Sequence, residues 1–489
     1  MPRLVWSSIL RMTSRVGRPI RFLRGWFSSG SRKRTRFASC WQKGLIDPKD
    51  VPTRRTCQVT NESALPLTAL WQNEFNADNL IDYARASKDL SEYIRVLVKE
   101  GYRHLVVPSR GAVPFISAAA AAWRLDIRSL PTYDERLKEM SELTYSPFHQ
   151  KLILPFSADP QDATQTTAAI RRYWSRVLAG IVRRDGTDPY LTFYKVLVEN
   201  LAKRNWLAAL PSKLPTENFI FVDTVVSGRA ICEIFRAFEE VGLDKCHFIL
   251  IVDARGAEVA QRYQREIKAM ADQGRCTVLP VNRLFTEDRG PAVSGVWSTV
   301  YPQILDAVRQ RFEWARDAYG AGTFYHQVSS SQVKPRQGIG TPDYNMPVTQ
   351  MYASLYVGIS TAVRALRDAE AAEKKLADQV GRESSAFAEM LAERQADIDL
   401  DLRRQLEYQL MKFREAVEEM KPYSPLDKET TRILAEPRVH EAHPDAVVTV
   451  SSSHLVRVTL PDSEISRVML EAEREIALGK DVLDDDWFR

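Results

Sequence analysis

Two short stretches of this 489-residue chain carry residue types that could do chemistry together. The first, Pro108-Ser109-Arg110-Gly111-Ala112, follows the apolar run Leu105-Val106-Val107 and precedes the alanine-rich segment Phe115 to Trp123. An arginine where a strand gives way to a helix can bring its guanidinium and the amides of Gly111 and Ala112 onto one dianionic group, with Gly111 permitting close backbone approach. The same residues also suit a plain turn with Arg110 in water. The second stretch, Phe219-Ile220-Phe221-Val222-Asp223-Thr224-Val225-Val226-Ser227-Gly228-Arg229-Ala230, delivers a carboxylate to the end of an apolar run and then opens a helix. Amides at a helix start attract phosphate, and a carboxylate just upstream can accept hydrogen bonds from sugar hydroxyls. Taken alone, Asp223 also suits a turn cap. Together the two stretches are far more specific than either.

The elements that would position them follow from periodicity. Leu80, Tyr83, Leu90, Tyr93, Ile94 and Leu97 recur near helical spacing up to Gly101, which predicts an amphipathic helix from about Asn79. Apolar runs at His104 to Val107, Asn218 to Asp223, Phe248 to Val252 and Cys276 to Leu279 alternate with helical segments. That alternation predicts an α/β fold, a parallel sheet covered by helices on both faces. Helix-period sequence at Ala168 to Arg183 and Leu191 to Leu207 predicts a helical insertion over about 133–215. The expected layout is a basic arm over 1–60, the α/β domain over 61–326, and a Ser/Gln/Gly/Pro-rich linker over 327–347. A long helical region over 348–422 and a small segment over 423–489, with a β-hairpin and an acidic, loose tail, complete it.

The pair of strand-end loops resembles type I phosphoribosyltransferases, whose parallel sheet carries a pyrophosphate loop of the PSRGA kind and a later loop for phosphoribosyl pyrophosphate (PRPP). The likeness spans roughly residues 79–300. It implies that Ser109, Arg110, Gly111 and Ala112 hold the pyrophosphate leaving group, and that Asp223, with Thr224 beside it, binds the ribose hydroxyls. Ser227, Gly228, Arg229 and Ala230 would wrap the 5′-phosphate. Arg110 and Asp223 would be the catalytic pair, and Mg²⁺ would ride on the diphosphate with no direct protein ligand set. The implied reaction is displacement of pyrophosphate by an unidentified nucleobase or amine. This chain departs from the family pattern in having Thr224 where a second acid is usual, Gly228 one position early, and Ala230 in place of a hydroxyl. Arg229 could supply compensating charge. A non-catalytic PRPP or nucleotide sensor, signalling through the C-terminal helices, is the alternative. Arg110 and Asp223 are 113 residues apart, far more than one βαβ unit of about 30 residues, as a helical insertion requires. Base-contacting candidates in the following segment are Trp297 and Tyr301, which core packing would explain equally well.

Composition limits the other function classes. A 44% hydrophobic and 27% charged chain is globular, and its most apolar runs, near Ile116 to Trp123 and Met351 to Val363, are too short to span a membrane. Five cysteines, Cys40, Cys57, Cys232, Cys246 and Cys276, form no CxxC pair and suggest a reducing compartment, hence the cytoplasm. Residues 1–46 hold eleven Lys or Arg and no acid, leaving 57 basic against 63 acidic residues in the rest of the chain. Such an arm fits an organelle transit peptide, a nucleic-acid or lipid contact, or a translated stretch upstream of the true start. Phe387, Leu391, Ile398, Leu402, Leu406, Leu410, Phe413 and Val417 form a stripe that packs either on the protein's own core or in a homodimeric or partner coiled coil through 351–421. His440-Glu441-Ala442-His443 lacks HExxH spacing and reads as surface.

Overall fold

Strands whose residues are almost all Val, Ile, Leu and Phe must be covered on both faces. The computed structural model describes residues 75–108, 110–128, 132–136, 138, 147–148, 151–154, 156, 164–201, 205–254, 259–282, 284, 328–329, 346–420, 428–450 and 455–484. Strands β1 (Leu105–Val107), β2 (Lys151–Ile153), β3 (Ile220–Val225), β4 (His247–Asp253) and β5 (Cys276–Val281) form one all-parallel sheet in the order β2-β1-β3-β4-β5. All of β4 is buried, whereas β2 and β5 are the edges. Pro280, which cannot donate to a ladder, is accordingly on edge strand β5.

The flanking helices are α1 (Ala77–Lys99), α2 (Val113–Arg128), α3 (Thr164–Arg183), α4 (Pro189–Asn200), α5 (Trp206–Ala209), α6 (Arg229–Glu240) and α7 (Gln261–Asp272). The chain moves one way in the sheet from β1 to β2 and the other way from β3 to β4, so right-handed crossovers put α2 on one face and α6 on the other. On the first face Tyr83 of α1 stacks on Phe115 of α2 at 4.3 Å. On the second, Phe238 of α6 meets Phe156, Phe219, Phe221 and Phe248 with ring centroids 5.4–5.8 Å apart. Each such buried ring contributes about 1.5–3 kcal/mol by leaving water, so this aromatic knot anchors α6 to β3 and β4.

The insertion is not wholly helical. It supplies β2 as well as α3, α4 and α5, because a three-residue edge strand is too short to leave a periodic signature. Asp188 caps α4, accepting from the Tyr190 and Leu191 amides at 2.8 and 3.3 Å, with Pro189 at the first helical position.

After the sheet come β6 (Val328–Ser329), α8 (Met346–Val380), α9 (Ser385–Met420), α10 (Lys428–Ala442), β7 (Val447–Val450), β8 (Leu455–Thr459) and α11 (Asp462–Leu478). The long helical region is two helices that turn at Gly381 and pack on each other, with α8 lying on α1 and α2. A Cβ on Gly358 of α8 would come within 2.9 Å of Leu80, and Phe413 of α9 stacks on Phe75 at 4.0 Å. Phe387, Leu402, Leu406, Leu410 and Phe413 are buried, and Leu391 and Ile398 half-buried, so the stripe packs within the chain. The Val417 side chain lies outside the description. Strands β7 and β8 form the expected antiparallel pair, and β6 joins them, so the stretch expected to be a linker contains a strand. The tail is docked rather than loose through residue 483: Val482 and Leu483 are buried, and Trp206 Nε1 donates to the Val482 carbonyl at 3.0 Å. Among the described residues no helix is long and apolar enough to cross a membrane. The N-terminal arm, Cys40, Cys57, Trp297 and Tyr301 lie outside the described residues.

Two histidines at the amino end of the sheet give the fold a pH limit. Burial lowers His104 to about 4, with Arg184, Lys213 and Arg103 adding to the effect, and burial lowers His247 to about 4 as well. The unfolded chain therefore takes up these protons first as pH falls below about 6.5. Stability is expected to be insensitive to these rings above that pH and to fall by on the order of 2 kcal/mol for each by pH 4.5. Urea unfolding at pH 7.5 and 4.5 checks this, and His247→Gln, which keeps an amide for Thr277, should remove one ring's share of the loss.

Candidate functional site

In an open parallel sheet the crevice outside the carboxyl ends, where the chain's direction of travel reverses, is the natural ligand site. Here the reversal falls between β1 and β3. Leu105 pairs with Ile220 and Val106 with Phe221, and continuing that register places Pro108 level with Asp223. The segment after β1 forms a 3-10 turn, Arg110–Ala112, which lies against β3, with Ala112 fully buried. The two stretches singled out in the sequence are thus neighbours in space. Ser109 lies outside the described residues, as does the Arg110 side chain, so at this rim the structure places Gly111, Ala112 and the backbone of Arg110. Gly111 sits within the right-handed turn, a conformation open to any residue.

Asp223 is only 3% exposed and lies on the same face of β3 as Phe221, the face that α6 covers. Its Oδ1 accepts from the Thr224 amide at 2.8 Å. Thr224, half-buried, points to the opposite face. The chain then passes exposed Ser227 to Gly228, which stands at the α6 N-cap with φ +79° and ψ −13°. That left-handed conformation favours glycine, and space demands it too, since a Cβ would meet Tyr263 Cβ and Val259 Cγ1 at 3.0 Å. Gly228 therefore lets α6 start tight against α7. Gly228 has no side chain with which to cap α6, and no acid occupies the helix's first turn. Ala230, half-buried in the first turn, offers a backbone amide and no hydroxyl.

Arg229 pairs along its own helix. Its Nε donates to Glu233 Oε1 at 2.9 Å, one turn along α6, and the other oxygen of Glu233 pairs with buried Arg171 of α3. Neither Arg171 nor Glu233 is signalled by the loop motif. The i,i+4 spacing of Arg229 and Glu233 is visible in the sequence, whereas Arg171 comes from the insertion and is placed only by the packing of α3 on α6.

Other polar residues near the carboxyl edge have structural work. Asp253, at the end of β4, accepts from the Leu284 amide at 3.3 Å. Asp82 of α1 accepts from the Asn282 amide, and Asn79 from the Asn282 side chain at 3.1 Å, fastening α1 to the end of β5. His443 is a buried core residue, not a surface one: its Nδ1 pairs with Glu464 and its Nε2 lies 3.3 Å from the Leu201 carbonyl, joining α10, α11 and α4. A separate cleft of about 570 Å³ runs between α8 and α9, and Arg364, Arg394, Asp368, Asp397 and Asp401 are among the residues that line it. Among the described residues no group of three or more His, Cys, Asp or Glu is placed to hold a metal ion. Cys232, Cys246 and Cys276 are buried free thiols, and burial pushes Cys232 and Cys246 up to about 12, which rules them poor nucleophiles at neutral pH. No family model, curated protein or solved structure matches the chain.

Gly228 is where the site's shape and the fold's stability meet. Gly228→Ala is expected to cost about 1–3 kcal/mol, from left-handed strain and the clash with Tyr263 and Val259. Urea denaturation measures it; a loss under about 0.5 kcal/mol would mean that α6 shifts to make room.

Proposed function

We propose that the β1/β3 crevice binds PRPP and that the protein transfers its phosphoribosyl group to a nitrogenous base or amine, with pyrophosphate as leaving group. The sheet is read accordingly as phosphoribosyltransferase-like. The observation that carries this reading is the contact of the Arg110–Ala112 turn with β3, beside buried Asp223 and the glycine-led start of α6. In this reading Ser109, Arg110, Gly111 and Ala112 take the pyrophosphate, and Asp223 accepts hydrogen bonds from the ribose 2′- and 3′-hydroxyls. The amides of Ser227, Gly228, Arg229 and Ala230 take the 5′-phosphate, where aligned N–H groups and the helix dipole favour negative charge.

The C1–oxygen bond to pyrophosphate breaks as the C1–nitrogen bond forms, through an oxocarbenium-like transition state. The acceptor nitrogen then loses its proton to solvent or to a base. Arg110 offsets charge growing on the departing diphosphate, and Asp223 orients the ribose beneath it. Mg²⁺ bound to the diphosphate would add charge neutralisation. The donor set fits an ion carried mainly by its ligand, since Mg²⁺ commonly takes one or two carboxylates plus phosphate oxygens and the crevice offers Asp223 alone among the residues assigned here.

A second reading, a PRPP or nucleotide sensor, is favoured by two particulars. Thr224 stands where a second acid would assist the ribose, and Arg229 is engaged by Glu233. In that case the α8–α9 hairpin, packed on α1 and α2, is the natural output element.

Calorimetric titration of PRPP with and without Mg²⁺ tests the shared step. Saturable binding is expected, weakened about ten- to a hundred-fold in Arg110→Ala by loss of a charged phosphate contact. Asp223→Asn, which keeps shape and removes charge, should weaken binding as well. Wild-type binding unchanged in both variants would remove the assigned site, and no binding at all would remove the reading. Pyrophosphate release on screening bases and amines identifies the transferase; binding without release identifies the sensor.

A further inference from the structure

Glu233 serves two guanidinium groups at once. Its Oε1 takes Arg229 Nε at 2.9 Å within α6, and its Oε2 takes Arg171 Nη1 from α3. Both arginines converge on this one carboxylate within the opening turns of α6, the end at which the helix dipole is positive. The two arginines differ in freedom. The Arg171 side chain is 3% exposed and depends on Glu233 to offset a buried charge, whereas that of Arg229 is 25% exposed. Withdrawing Arg229 would leave the Glu233–Arg171 pair whole. A side chain on a helix leans toward the amino end, so Arg229 released from Glu233 would extend back over Ser227 and Gly228.

We propose that Glu233 is a positioning residue that holds Arg229 in reserve, and that a phosphate monoester arriving at the start of α6 draws Arg229 from it. Arg171 keeps the carboxylate compensated while this happens. The proposal rests on the reading of the Ser227–Ala230 segment as the 5′-phosphate site, and it assigns the missing hydroxyl's role to a charge that competes between two anions. Affinity for the ligand is then set by that competition, so a change that removes the charge of Glu233 strengthens binding.

The test is a double-mutant cycle in the full chain, by calorimetry with PRPP and Mg²⁺, comparing wild type, Glu233→Gln, Arg229→Gln and the double variant, with thermal melts confirming folding. Glu233→Gln is expected to tighten binding about five-fold, and that gain should fall below about two-fold when Arg229 is Gln. A purely structural role for Glu233 would loosen binding or leave it unchanged, which overturns the proposal, as does a gain of equal size with and without Arg229. Where Glu233→Gln does not fold, Glu233→Asp keeps a negative charge near Arg171 while shortening the carboxylate's reach to both arginines, and the same pattern is expected at smaller size. Wild-type binding that is lost in Asp223→Asn while Glu233→Gln brings no gain would sink this proposal and leave the crevice reading standing. Absence of binding in wild type and Glu233→Gln alike would sink both.

Discussion

Leu105 and Val106 of β1 pair in parallel with Ile220 and Phe221 of β3, and this short ladder closes a loop of more than a hundred residues. Closing a loop of that length costs about 4 kcal/mol in chain entropy beyond a length-independent term. The hydrogen bonds of a three-residue strand do not offset that by themselves. The rings that pack where β3 meets α6 do, since Phe156 from the insertion reaches Phe221 of β3 and Phe238 of α6. The insertion thus helps to hold together the two strands it separates in sequence. Without that pairing the turn after β1 and the segment after β3 would have no common crevice.

Around the crevice, backbone rather than side chain sets most of the geometry. Gly228 takes a conformation that other residues resist, α6 begins against α7 because of it, and the N-cap position contributes backbone alone. The charged side chains are disposed more economically: Arg229 leans on Glu233, and Glu233 on Arg171. On the other edge of the sheet, Asp82, Asn79 and Asn282 use the same residue types to tie a helix to a strand end.

The sequence showed the parallel sheet because β3 and β4 are unbroken apolar runs, and it showed the loop after β3 because a lone carboxylate ends such a run. Strand β2 escaped notice because Leu152 is its one fully buried residue. The Arg171–Glu233 contact was not legible because it depends on how two helices 62 positions apart pack. His443 looked like surface because a histidine flanked by Ala442 and Pro444 has no periodic context. Its burial follows from α11 and α4 closing over it. The stripe on α9 announced burial, but only the stack of Phe413 on Phe75 and the approach of α8 to Leu80 show that the covering surface is the chain's own.

That last arrangement has a cost during synthesis. Asp78 of α1 meets Arg403 across 325 positions of sequence, and Lys195 of α4 meets Glu475 across 280. At about 5–20 residues per second, α1 emerges from the ribosome roughly 15–60 s before the helices that cover it. Its Leu80 flank waits uncovered for that interval, and so does the outer side of α4. A chain of this design spends much of its translation as a half-roofed sheet, and it places its demand on holding chaperones before its last hundred residues are made.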